Sequence, residues 1–140
     1  MIDELLDFRA LDDYVKSSTG LKFREAILRY YKGLGESLGY AVRENASIIK
    51  NGINYGKIDM IWLEPNIAFA AEFGNLEEIY KHLWRILEYS PNMAVLILSS
   101  KSACKADEVM KIIEKSQLIG DRKNIFLVLD ITDKKVVRRP

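Results

Sequence analysis

Apolar residues recur along this chain with two different periods, and the changes between them outline its elements. Over residues 2–16, Ile2, Leu5, Leu6, Phe8, Leu11, Tyr14 and Val15 fall at three- and four-residue spacing, which predicts an amphipathic helix. Ser-Ser-Thr-Gly at 17–20 breaks it, and Ser18 or Thr19 is placed to cap a second helix. That helix runs from about Leu21 to Leu38, with Phe23, Ile27, Tyr30, Tyr31, Leu34 and Leu38 on its apolar side. Gly33 and Gly35 are expected to weaken it or end it early, and Gly39 reads as a stop.

The period then changes. Tyr40 to Glu44 reads as a strand, and residues 45–54, with Asn51-Gly52, as a hairpin tip or a mobile loop. Residues 56–74, GKIDMIWLEPNIAFAAEFG, read as two strands joined by a turn at Glu64-Pro65-Asn66. Residues 75–90 return to helical spacing through Leu76, Ile79, Tyr80, Leu83, Ile86, Leu87 and Tyr89, and Ser90-Pro91-Asn92 ends them. MAVLILS at 93–99 is a continuous apolar run of strand length, expected at the centre of a sheet and buried on both faces. A helix around 104–118 and a last strand, NIFLVLDI at 124–131, complete the order ααβββαβαβ. It predicts an α/β fold, a mixed sheet flanked by helices, with a parallel, right-handed crossover through helix 75–90. The length of 140 residues suits a single domain, read as an N-terminal helix (1–18), a core (21–100) and a C-terminal helix and strand (101–140).

Composition narrows the function classes. No apolar run approaches the roughly 18 residues needed to cross a bilayer, and the N-terminus is acidic, so a soluble cytoplasmic protein without membrane contact is expected. One cysteine, Cys104, excludes an internal disulfide, and its single partner-less occurrence favours a half-buried structural residue. One histidine, His82, excludes a zinc site built from several Cys and His ligands, and leaves only a triad through His82 itself. Net charge is +1, but residues 1–100 carry a net −3 and residues 101–140 a net +4. The basic end, with Lys134, Lys135, Arg138 and Arg139, reads first as a solvated terminus and second as a phosphate contact.

Two acids stand where apolar residues belong. Asp59 lies between Ile58 and Met60 in one strand, and Glu72 between Ala71 and Phe73 at the end of the next. A buried carboxylate costs several kcal/mol unless it is paired, protonated or metal-bound. Two such acids on adjacent strands could share a hard divalent cation, Mg²⁺ or Mn²⁺. Each also has a plain structural use. Asp59 could pair with Lys57 or Arg85, and Glu72 could cap helix 75–90.

The residues Gly56-Lys57-Ile58-Asp59 and Ala70-Ala71-Glu72-Phe73-Gly74, in that order of elements over roughly residues 21–100, resemble the PD-(D/E)XK nuclease superfamily. The resemblance implies a restriction-endonuclease-like fold and metal-dependent phosphodiester hydrolysis, with nucleic acid as partner, DNA more than RNA. It makes Asp59 and Glu72 metal ligands and offers Glu25, with Glu36 behind it, as the acid the family often adds from its first core helix. The family's motif lysine would stand two residues after the glutamate, where this chain has Gly74. Lys57, or Lys81 with Arg85 one turn on, would then have to supply the cation. Otherwise the scaffold binds nucleic acid without cutting it, or serves as a non-catalytic interaction module such as a homodimer. A small-molecule-binding α/β domain is a further reading, against which no Gly-rich phosphate loop follows any strand. Trp62 and Trp84 read as core or interface residues.

Overall fold

The three most apolar segments of the chain sit side by side. In the computed structural model, which describes residues 2–140, β3 (Ile67–Ala71), β4 (Met93–Leu98) and β5 (Phe126–Asp130) are buried at every position. They pair in parallel, Ala70 beside Leu96 and Leu96 beside Val128. Strands buried on both faces need covering helices, and the crossovers supply them. Helix α4 (Leu76–Tyr89) links β3 to β4, and α5 (Ala106–Lys115) followed by a 3-10 turn (Gly120–Ile125) links β4 to β5.

Antiparallel strands complete the sheet on both sides. β1 (Val42–Lys50) and β2 (Ile53–Trp62) form a hairpin that adds to β3, and β6 (Lys135–Arg138) adds to β5. The spatial order of the six strands equals their chain order. α4 and α5 cover one face, where Ile79, Leu83, Ile86, Val109 and Ile113 meet Ile61, Ala68, Ala70, Leu96 and Val128. α1 (Ile2–Leu5), α2 (Phe8–Ser17) and α3 (Phe23–Ser37) cover the other, where Leu5, Leu11, Ile27 and Tyr31 meet Met60, Trp62, Ile67, Phe69 and Ala71. The alternation along β3 therefore sends even-numbered residues toward α4 and odd-numbered ones toward α3.

Several local expectations need correction. The N-terminal helix is two pieces, because the Asp7 carboxylate accepts the Ala10 N–H at 3.0 Å and starts a new helix there. α3 begins at Phe23, with Lys22 at the cap position and no side-chain cap from Ser18 or Thr19. β1 does not end at Glu44 but continues to Lys50. Asn51 and Gly52 both adopt positive φ, 53° and 77°, the requirement of a tight two-residue hairpin turn. The C-terminal basic segment holds a sixth strand, β6, in which Arg138 donates to the Lys123 carbonyl at 3.0 Å and pairs with Glu114.

Gly35 does not end α3. It gives room to Trp62, whose indole N–H donates to the Tyr31 carbonyl at 3.2 Å. A Cβ on Gly35 would stand 2.4 Å from Trp62 Nε1, whereas one on Gly33 would meet nothing within 4 Å. Gly35→Ala should therefore destabilise the protein by about 1–3 kcal/mol through overpacking. Gly33→Ala should stabilise it by up to about 1 kcal/mol through helix propensity. Urea unfolding of the two variants beside the wild type checks the opposite signs.

Candidate functional site

Asp59 is placed where two strands part. The β2–β3 ladder runs from Trp62–Ile67 to Met60–Phe69 and stops. Beyond it the Ala71 backbone, one of whose sides faces β2, needs new partners. The Asp59 carboxylate accepts the Ala71 N–H at 2.9 Å, and Arg24 Nε donates to the Ala71 carbonyl at 3.1 Å. The same guanidinium pairs with the other Asp59 oxygen at 2.5 Å. Asp59 is 10% exposed, so this ion pair is largely screened from water on the acid's side. Both carboxylate oxygens are thereby engaged, by α3 and by the backbone of β3.

A cleft of about 350 Å³ lies over this pair, lined by Arg24, Glu25, Arg29, Glu44, Asn45 and Asp59 among others. Glu25 shares that cleft with Asp59, and Glu44 joins them. Glu36 is exposed and does not line that cleft. Asn45, opposite Asp59 in the hairpin, has a φ of 48°, a local irregularity that lets Asp59 and Met60 both line the cleft on the α3 side.

Glu72 goes the other way. Following Ala68 and Ala70, it points toward α4, where one carboxylate oxygen lies 3.1 Å from His82 Nε2 and the other accepts the Gly74 N–H at 2.7 Å. The side chains of Glu72 and His82 are 12% and 8% exposed. Glu72 does not cap α4, since the Asn75 side chain accepts the Glu78 N–H at 3.2 Å and fills that role. Gly74 stands where the resemblance would place a lysine. A Cβ there would fall 2.7 Å from Glu72 Oε2, so the glycine and the inward turn of Glu72 belong together.

The candidate cations lie elsewhere. Lys57 is exposed and does not line the Asp59 cleft. Lys81, on the outer side of α4, pairs with Glu78 at 3.1 Å. Arg85 lies across β2 at Gly56, donating to the carbonyls of Tyr55 at 2.9 Å and Lys57 at 3.4 Å. Gly56, at φ 101°, leaves the space that the guanidinium fills. The carboxylates of Asp59 and Glu72 leave the sheet on opposite faces, with four different groups occupying their four oxygens. This donor set does not fit a shared Mg²⁺ or Mn²⁺. Among the described residues no three His, Cys, Asp or Glu side chains gather as a metal would need.

The His82–Glu72 pair does not make Cys104 a nucleophile. Burial pushes its thiol up to about 11, and the nearby Glu72 carboxylate adds to the rise. An activated cysteine needs the reverse. No helix among the described residues is long and apolar enough to cross a membrane.

Sequence reading missed Arg24 and Asp130. Arg24 stands next to the candidate Glu25 but reaches the acid first. Asp130 ends the last central strand and is 2% exposed. Its Oδ1 accepts the N–H groups of Ser100, Thr132 and Asp133 at 3.2, 3.1 and 3.1 Å, fastening the loops after β4 and β5 together. An acid closing an apolar strand run was the signal available for it.

Comparisons of the chain with family models, with curated proteins and with solved structures found no match. The likeness to PD-(D/E)XK nucleases therefore rests on the quoted residues and on the order of elements.

Two outcomes follow from this geometry. Arg24→Ala leaves the Asp59 carboxylate and the Ala71 carbonyl without their donor, and should cost about 1–3 kcal/mol of stability in a urea titration. Cys104 should resist iodoacetamide at pH 8 in the folded protein and react promptly once guanidinium unfolds it. Rapid labelling of the native state would contradict the raised thiol.

Proposed function

We propose that this chain is a non-catalytic protein-interaction module on a restriction-endonuclease-like scaffold, and that it self-associates through the surface between α4 and α5. The run α3-β1-β2-β3-α4-β4 repeats the order of elements in the family that its motif residues resemble. The observation that carries the loss of chemistry is the engagement of Asp59 by Arg24 on one face of the sheet and of Glu72 by His82 on the other. A hydrolytic site needs both acids and a cation to converge on one phosphate.

What supports interaction is the outer surface of α4. Tyr80, Trp84 and Leu118 are 53%, 56% and 60% exposed, and Ile53 at the neighbouring hairpin is 52% exposed. Tyr55 and Trp84 hold their ring centroids 6.2 Å apart, which joins the hairpin to this patch. Beside them a groove of about 450 Å³ runs between the two helices over Leu76, Leu83, Leu87, Ile112 and Ile119. Clustered apolar surface of this kind marks a contact site, and exposed aromatic anchors beside an apolar hole are the pieces of a self-complementary one. The rim carries both signs, Glu108 with Lys111 at 3.5 Å and Lys115 beyond. A nucleic acid would need a rim of one sign, while a second copy brings the same mixed set in reverse order.

The test pairs a cleavage panel with a measurement of size. Duplex, single-stranded, flap and junction DNA, and RNA, should survive incubation with the protein and Mg²⁺ or Mn²⁺. Light scattering should show a concentration-dependent dimer that Trp84→Glu, at an exposed position, converts to monomer with unchanged circular dichroism. Cleavage that disappears in an Asp59→Ala, Glu72→Ala double variant would restore the nuclease reading. A monomer at every concentration would remove self-association.

A further inference from the structure

The carboxyl ends of the parallel strands open onto a cavity of about 490 Å³ that neither the motif acids nor the α4–α5 groove touches. Phe73 follows β3, Ser99 follows β4, and Ile131 and Thr132 follow β5, and all four line it. In open α/β sheets this end of the strands is where ligand crevices form, and the volume lies within the range of small-molecule sites, about 300–1,000 Å³.

Its walls differ in chemistry. One is aromatic: Phe23, at the start of α3, is 48% exposed, and its ring centroid stands 5.2 Å from that of Phe73. The other carries two lysines and, beside Lys134, the carboxylate of Asp12, which also lines the cavity. Lys101 is exposed and has no acidic partner among the described residues. Lys134 reaches Asp12 at 3.4 Å, an acid that Lys16 holds more closely at 2.9 Å. Between the walls lie the hydroxyls of Ser99 and Thr132, 2.5 Å apart. This framework is fixed before any ligand arrives. Asp130 binds three amides from the two loops, and the buried Ser102 hydroxyl, next to Lys101, donates to the Ser99 carbonyl at 2.8 Å. Loops held this way add little ordering cost to binding.

We propose that this cavity binds a small aromatic anion, a planar ring carrying a phosphate or carboxylate group. The ring lies against Phe23 and Phe73, and the anion faces Lys101 and Lys134 beside the two hydroxyls. A neutral ring would leave the lysines unused, and a bare anion would leave the aromatic wall in water. The site is independent of self-association, because α4 and α5 contribute none of its residues.

The experiment is an amide NMR titration of the full chain with phenyl phosphate and with benzoate, beside inorganic phosphate and benzyl alcohol. Shifts should concentrate at Phe23, Phe73, Ser99 to Lys101 and Thr132. The aromatic anions should bind at least about tenfold tighter than phosphate alone or the neutral alcohol. Lys101→Gln and Phe23→Ser, both at exposed positions, should each weaken phenyl phosphate about five- to tenfold while leaving the spectrum otherwise native. Equal affinity for phosphate and phenyl phosphate would overturn the proposal. So would shifts centred elsewhere, or none up to millimolar ligand.

Discussion

The pairing of Arg24 with Asp59 holds together the place where this sheet would otherwise come apart. β2 and β3 separate after Met60 and Phe69, and a strand end that opens inside a protein leaves polar backbone without partners. Asp59 and Arg24 take the Ala71 N–H and C=O in turn, and each also takes the other. Helix α3 is thereby tied to β2 and β3 at once, close to the aromatic packing of Tyr31, Trp62 and Phe69. An acid tied in this way faces Arg24 and the β3 backbone, on the opposite face of the sheet from Glu72.

Glu72 obeys the same rule on the opposite face. Alternation along β3 carries it toward α4, where His82 and the Gly74 amide satisfy it. Gly74 reads in the sequence as a missing lysine, and in three dimensions as the space into which Glu72 folds. A residue with a side chain at 74 would press on the carboxylate, and releasing that carboxylate would uncover a buried histidine. Asp59 and Glu72 both act as structural ties, one on each face of the sheet.

Much of this architecture was legible because its signals are local. MAVLIL reads as a central strand, FLVLD as a strand, and the spacing of Leu76, Ile79, Leu83 and Ile86 as a helix lying on the sheet. β6 was not legible, since Lys135 to Arg138 lack the apolar alternation of a buried strand and gain their place from β5 and Glu114. Gly35 misled for a related reason, because its use depends on Trp62, distant in sequence. At the candidate site, residue types were readable and directions were not. Asp59 and Lys57 share a face by period two, yet Lys57 stays out in solvent and does not line the Asp59 cleft. The partner of Asp59 proved to be Arg24, which no spacing rule connects to it.

The most direct test of the central claim, that Asp59 and Glu72 are engaged apart and do not converge on a metal, is a titration of Mn²⁺ followed by amide NMR. Paramagnetic broadening reports proximity to the ion whether or not any catalysis occurs. If the claim holds, the Asp59, Ala71, Glu72 and Gly74 amides broaden no more than the exposed acidic surface does. Selective, saturable broadening of these four amides at micromolar Mn²⁺ would contradict it.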